Sequence, residues 1–350
     1  MKSILVTGGC GYIGSHTVLS LLENGYFVYV FDSNVSSSRK VLKRFSEILS
    51  KENKILSKNL KFHKGDIRFV ENIEEVFANA IKENNEIYEV IHFAGLKSIE
   101  ESIKYPFLYW ENNVVGTINL LNVMKKYDCK TIIFSSSATI YENLGKHKIK
   151  ENSLIKPINP YGRNKSTIEL FLKDIYESDP KNWKIINLRY FNPIGAHISG
   201  KLGENYIGLV NNIFPLILKV ASKNIKEFKI FGNDWNTKDG TCIRDYIHVM
   251  DLVNGHVEAL NYLQNNNPQL LNLNIGTGLG STVLELIKTF EKVNNVKIPY
   301  SFAGRRKGDI GYVVADNSKI LKTFNWKPKR TLEEMCKDGW HWHLTNPNGY

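Results

Sequence analysis

The chain has 350 residues, 42% hydrophobic and 23% charged, a composition that suits a folded domain with a sizeable core and argues against a disordered chain. No apolar run approaches the roughly 20 residues that a membrane-spanning helix needs. The formal charge of +11 comes from lysines interleaved with Glu and Asp, which reads as a solvated surface and not as a nucleic-acid footprint.

The four cysteines, Cys10, Cys129, Cys242 and Cys336, are scattered and form no Cys-x-x-Cys pair. Neither a zinc site nor a disulfide framework is expected. Met1-Lys2 leads straight into a strand-like run and a glycine turn that a cleaved signal would remove, so a cytoplasmic location is expected.

In chain order, Ile4-Leu5-Val6 predicts a strand, followed by a helix from about Ile13 to Asn24. Phe27 to Phe31, Glu89 to Phe93, Thr131 to Phe134 and Ile185 to Leu188 are further apolar runs. Unbroken runs suit strands covered on both faces. With helical patterns between them they predict an α/β fold, a Rossmann-type doubly wound parallel sheet. A long helix is expected over about Pro106–Tyr127, with more apolar residues than a one-sided contact needs. After Phe191 the pattern loosens into Gly- and Pro-containing loops, with shorter helices at roughly Asp251–Leu263, Thr282–Val293 and Thr331–Leu344. The boundaries read as 1–191 for a dinucleotide-binding domain and 192–350 for a smaller mixed α/β substrate lobe, with segments interleaving.

Gly8-x-x-Gly11-x-x-Gly14 follows a strand and opens a helix, the context in which glycines let backbone amides approach a pyrophosphate at a helix N-terminus. Asp32 ends the second strand and can accept the adenosine ribose hydroxyls, which favours NAD over NADP. Tyr161 and Lys165 stand four apart, on one helix face. A cation beside the phenol favours the phenolate and makes the tyrosine a usable acid or base. Ser135-Ser136-Ser137 follows the Thr131–Phe134 run, at the strand end where ligands of open α/β sheets bind. His341 and His343 alternate with Trp340 and Trp342 two apart on a predicted helix, so they face apart; packing is expected there, and no metal.

The glycine turn, the serine turn and Tyr-x-x-x-Lys together resemble the extended short-chain dehydrogenase/reductase superfamily. The stretches His92-Phe93-Ala94-Gly95-Leu96-Lys97, Phe134 to Thr139, Arg189-Tyr190-Phe191-Asn192-Pro193, Ile230 to Asp234 and Arg244-Asp245-Tyr246-Ile247-His248-Val249 narrow the resemblance to the UDP-glucose 4-epimerase (UDP-galactose 4-epimerase) family, over nearly the whole chain. The resemblance implies an NAD-dependent isomerase that inverts C4 of a UDP-hexose through a transient 4-keto sugar, with Tyr161, Ser137 and Lys165 catalytic.

For the cofactor it implies Gly8, Gly11, Tyr12, Ile13, Gly14, Asp32, Ser33, Ser36, Ser37, Asp66, Ile67, Phe93, Ala94, Lys97, Asn113, Ser135, Tyr161, Lys165 and Tyr190. For the UDP-sugar it implies Lys97, Ser137, Tyr161, Asn192, Asn212, Ile213, Phe231, Arg244, Tyr246, Arg306, Asp309 and Val313. Two arginines suit a diphosphate, because a guanidinium makes bidentate contacts; the plainer reading of Arg244 or Arg306 is an ion pair with Asp245 or Asp309. The resemblance further implies a homodimer through the Pro106–Tyr127 helix and the helix beginning at Tyr161.

The chain departs from the family pattern at Ser33, Ser36, Glu142 and Asn164. Val313 stands where a bulky tyrosine closes the sugar pocket to 2-acetamido groups, which raises UDP-GlcNAc and UDP-GalNAc as further substrates. Two competing readings are a nucleotide-sugar dehydratase or decarboxylase on the same scaffold and a non-catalytic dinucleotide sensor. The dehydratases carry Asp-Glu after the active hydroxyl residue, whereas Ser137 is followed by Ala138-Thr139. A sensor has no need of Ser137, Tyr161 and Lys165 together.

Overall fold

The structure, a computed structural model, describes residues 3–49, 56–142, 147–206, 212–306 and 308–350. Its centre is a seven-stranded sheet built from β1 (Ser3–Thr7), β2 (Phe27–Asp32), β3 (Leu60–Lys64), β4 (Ile87–His92), β5 (Thr131–Ser137), β6 (Lys184–Tyr190) and a last strand, Gln269–Ile275. From one edge the order is Gln269–Ile275, β6, β5, β4, β1, β2, β3. The pairs β2–β3, β1–β2, β1–β4 and β4–β5 are parallel. The order reverses between β1 and β4, where the helices that follow them leave on opposite faces and open a crevice at the carboxyl ends.

Every residue of β1 and β2 is buried, as continuous apolar runs covered on both faces require. The helix after β1 spans Tyr12–Glu23. Two strands escape the sequence pattern, and both lie at sheet edges. In β3, Leu60-Lys61-Phe62-His63-Lys64 alternates and no residue is fully buried; lysines on an edge strand also discourage pairing with another chain.

Two expectations need correction. The three serines are the end of β5 and not a turn after it. The long helix is interrupted: Pro106–Tyr109 and Gly116–Lys126 are α-helical, and Trp110–Val115 between them is a π-helical turn. That wider turn carries Asn113 inward, 2% exposed. Residues 253–273 cluster with the first compact unit, which comprises 1–142, 154–189 and 253–273.

The second unit comprises 143–153, 190–252 and 274–350. It contains three small sheets: Asn192–Ile194 with Tyr246–His248, Phe228–Phe231 with Tyr300–Ala303, and Ile243–Arg244 between Ser281–Thr282 and Tyr312–Val313. Helices Val283–Asn294 and Leu332–Thr345 pack within its core. Each begins with a reciprocal cap, Thr282 with Glu285 and Thr331 with Glu334, which satisfies backbone donors that a helix start leaves over. In the Trp-His-Trp-His stretch, Trp340 stands edge-on to Phe290 and stacks on His343, while Trp342 packs against Tyr350. No helix among the described residues is long and apolar enough to cross a membrane.

Candidate active site

The first unit gathers its candidate residues along the carboxyl ends of β1, β2, β4 and β5. Gly8 adopts φ +67°, in the left-handed region, and a Cβ there would sit 2.7 Å from the Ala94 nitrogen just beyond β4. A Cβ at Gly14 would meet the Gly8 carbonyl at 2.3 Å. Only glycine allows the turn to close this tightly. Gly11 then opens the helix with no side chain to cap it, so the first-turn amides and the positive end of the dipole face outward. A dinucleotide pyrophosphate fits such a cradle.

Asp32 completes it. Its Oδ2 accepts from the Cys10 amide at 2.9 Å, and Oδ1 accepts from the Asn34 amide at 2.8 Å and the Ser37 hydroxyl at 2.7 Å. These use three of the roughly four acceptor positions of a carboxylate and aim the group before any ribose arrives. Asn34, at φ +58°, makes this geometry and was not among the expected residues. Ser36 is exposed and Ser33 half-buried, whereas Ser37 is the serine that meets Asp32. Burial pushes the Cys10 thiol up to about 12, so it is a packing residue and not a nucleophile.

The remaining cofactor candidates divide. Phe93 and Ala94 follow β4 beside Gly8. The Asp66 carboxylate is engaged by Arg68, at 2.7 Å to Nη2, and that hydrogen bond holds its pKa below the ordinary range. Ile67 packs against Gly116. The Asn113 amide accepts from the Leu96 nitrogen at 2.8 Å and donates to the Leu96 oxygen at 3.0 Å; its side chain fastens the loop after β4. Lys97 is exposed.

The tyrosine helix, Pro160–Ser178, starts where local chemistry dictates. The Asn159 side chain accepts from the Gly162 amide at 2.8 Å and Pro160 takes the first turn, a favoured cap and first residue. A Cβ at Gly162 would lie 2.6 Å from the Thr139 carbonyl, so this glycine lets the helix start close against the end of β5. Tyr161 consequently stands near Ser137, whose hydroxyl acts on the phenol. The Ser137 hydroxyl oxygen also accepts from the amide and the hydroxyl of Thr139, at 3.2 and 2.9 Å. One turn along, the Lys165 ammonium donates to the Ser135 carbonyl at 2.6 Å, 4.7 Å from the Phe134 ring centroid and 5.8 Å from that of Tyr161.

Electrostatics here differ from the sequence expectation. Burial pushes the Tyr161 phenol up to about 12, with the Ser137 hydroxyl pulling the other way. Burial also lowers Lys165 to about 7, opposed by the charge of Glu169. In the polypeptide alone, desolvation outweighs the effect of the cation on the phenol. His92, between Thr7 and Thr117 hydroxyls at 2.7 and 2.9 Å, is driven to about 3 by burial and is neutral.

The second unit carries the anion-seeking candidates. Arg244 donates from Nη2 to Asp309 at 2.9 Å and from Nη1 to the carbonyls of Ile243 and Ile310 at 2.9 and 2.8 Å. Its ion pair with Asp309 is thus formed, and the same pair holds the guanidinium in one orientation. The Arg306 guanidinium lies 3.7 Å from the Phe231 ring centroid. Its neighbour Arg305 stacks 3.9 Å from Trp235 and pairs with Asp234.

Asp245 is fully buried and accepts from the Thr277, Gly278 and Ala315 amides at 2.8 to 3.1 Å, holding loops beside Arg244. Val313 lies in strand register with Arg244. Asn212 precedes the helix Ile213–Ala221 and is exposed, and Asn192 donates its amide to the Asp245 carbonyl. Tyr190 is 7% exposed, and Tyr246, at 3%, sits in the apolar core of this unit. Among the described residues no group of three or more His, Cys, Asp or Glu can hold a metal.

Residues 5–339 match the family described as GDP-mannose 4,6 dehydratase. UDP-glucose 4-epimerase 2 of Arabidopsis thaliana is 47% identical over 100% of this chain and 97% of its own, and UDP-glucose 4-epimerase of Bacillus subtilis is 46% identical over 99% and 98%. Among solved structures, UDP-glucose 4-epimerase from Bifidobacterium longum, in complex with NAD+ and UDP, superposes with a TM-score of 0.90 at 42% identity, covering 100% of both chains.

Proposed function

The chain belongs to the UDP-glucose 4-epimerase family of extended short-chain dehydrogenases/reductases, and from that premise we propose how its residues divide the work of inverting C4 of a UDP-hexose. It is an NAD-dependent isomerase interconverting UDP-glucose and UDP-galactose. The observation that carries the reading is the meeting of Ser137, Tyr161 and Lys165 at the end of β5, on the same sheet edge as the glycine cradle.

Gly8, Gly11, Gly14 and Asp32 hold the NAD, which, when bound, accepts the C4 hydride and returns it. Tyr161 removes the proton of the sugar 4-hydroxyl and later gives it back, with Ser137 sharing that proton. Lys165 holds the nicotinamide ribose and favours the phenolate. The 4-keto sugar would turn over in the site and present its other face, with Tyr161 placed to return the proton to the C4 oxygen. Arg244, Arg306 and Asp309 hold the UDP, with two guanidiniums directed at the diphosphate.

Three finer assignments accompany this. The small side chain of Val313 admits 2-acetamido sugars, so UDP-GlcNAc and UDP-GalNAc are substrates as well. The chain acts as a homodimer through the segment from Pro106 to about Tyr127 and the tyrosine helix, which leave Phe107 and Leu170 exposed, Phe107 by 90%. Its compartment is the cytoplasm, in keeping with four free, buried cysteines.

The test is to incubate the purified protein with UDP-galactose, without added NAD, and to assay UDP-glucose. Turnover establishes the reaction and a retained cofactor together. No turnover by folded protein, even after NAD is added, would refute the assignment.

A further inference from the structure

Beneath Tyr161 and Lys165 lies a buried charged group that the chemistry above leaves unused. Glu169 stands one turn beyond Lys165, on the same helix face. Arg189, at the end of β6, donates to its carboxylate from Nε at 2.9 Å and from Nη2 at 2.6 Å, one oxygen each. The Ser136 hydroxyl donates to the same carboxylate. The third arm of Arg189 donates to the Tyr141 hydroxyl at 2.7 Å, and the guanidinium lies 5.1 Å from that ring. Arg189 is 1% exposed and Glu169 6%. A single ion pair thus ties together β5, β6, the tyrosine helix and the segment that follows Ser137.

Two cations, Lys165 and Arg189, share this interior with one anion. The other groups around Lys165 bring no negative charge: His92 on β4 is neutral, Tyr161 on its own helix is protonated, and β5 offers the Ser135 carbonyl and the Phe134 ring. A carboxylate four residues from a lysine on a helix ordinarily pairs with it. Here both carboxylate oxygens turn to Arg189, and Lys165 donates to Ser135 instead. A buried ion pair is a poor source of stability compared with apolar packing of the same volume, so its distinct contribution is geometry.

We propose that Arg189 is a positioning residue that keeps the Glu169 carboxylate from capturing Lys165, leaving the ammonium directed at Ser135 and Tyr161. The inference rests on Tyr161 and Lys165 being the working pair of an epimerase.

The experiment compares wild type, Arg189→Met and the double variant Arg189→Met/Glu169→Gln for UDP-galactose epimerisation, with kcat, KM, bound NAD and the pH profile measured for each. Freed from Arg189, Glu169 pairs with Lys165 and cancels its charge beside the phenol. The single variant should lose about tenfold or more in kcat, with KM little changed, and the limb of kcat/KM that rises with pH should move to higher pH. Removing the carboxylate as well should recover about tenfold and move the limb back.

A double variant no better than the single, or an unshifted limb, overturns the proposal, because a purely structural arginine predicts both. If Arg189→Met does not fold by circular dichroism, Arg189→Gln decides: it keeps a hydrogen-bonding side chain but loses the charge that holds Glu169, and an unmoved limb again overturns the idea. Absence of wild-type turnover overturns the epimerase reading itself and this inference with it. A normal wild type with unresponsive variants overturns only the role of Arg189.

Discussion

In the first unit the groups facing a ligand are backbone amides in a glycine turn and side chains packed into the sheet edge: Asp32 is 7% exposed, Ser137 9% and Lys165 5%. In the second, Arg244 and Asp309 are half-buried and Arg306 lies at the surface, each held by another side chain or a loop carbonyl. Burial raises Tyr161 to about 12 and lowers Lys165 to about 7, which moves the two pKa values apart and marks the pair as a site where the environment tunes protonation. The planar fork of a guanidinium suits holding a diphosphate. Lesions in the first unit should therefore strike kcat or the pH profile, and lesions in the second should strike KM.

The largest effect expected is for Tyr161→Phe. Loss of the general acid and base should lower kcat about 10²- to 10⁴-fold while bound NAD, measured after denaturing release, stays near wild type. Wild-type turnover by this variant would remove the tyrosine from the mechanism.

Ser137→Ala comes next, at about 10- to 100-fold in kcat, the worth of one hydrogen bond to a charged group. The sign of its pH effect follows from the structure. Ser137 lowers the Tyr161 pKa against the pull of burial, so its removal raises that pKa and moves the rising limb of kcat/KM to higher pH. A limb moved to lower pH would contradict the hydrogen bond.

Arg244→Ala should raise KM for UDP-galactose about tenfold with little change in bound NAD. A fall in kcat at unchanged KM would erase the division of labour between the units. Smallest is Val313→Tyr, which should lower the ratio of UDP-GalNAc to UDP-galactose turnover by about a few-fold, below the roughly 10- to 200-fold that shape discrimination by an apolar pocket reaches. An unchanged ratio separates Val313 from sugar selectivity.

Much of the first unit was legible in the chain. Continuous apolar runs mark strands buried on both faces, and β1, β2, β4, β5 and β6 appear at such runs. The β3 strand did not announce itself, because an edge strand alternates and carries lysines like any exposed loop. Nor did the π turn at Trp110–Val115, since a helical period changes little when one turn widens. The glycine turn, Asp32 and the Tyr161–Lys165 spacing were readable because each is set by local backbone geometry within a few residues.

Asn34, Thr139 and Arg189 act through partners defined by the fold, and spacing pointed to none of these roles. Glu169 did leave a trace: it repeats the four-residue step from Lys165. That step alone predicts a Glu–Lys helix pair, the opposite of what forms.

By itself, then, the sequence determined the α/β alternation, the glycine turn and the Tyr161–Lys165 spacing, because helix period, strand burial and turn glycines are properties of neighbouring residues. Tertiary structure alone decided which partner each charge would take. Arg189 is 20 positions from Glu169 and Asp309 is 65 from Arg244, and only the packing of β6 on the tyrosine helix, and of the 309 loop on the Ile243–Arg244 strand, brings them within hydrogen-bond reach. The pKa values of Tyr161 and Lys165 belong to the same category, since desolvation is a property of the folded interior and of no single residue.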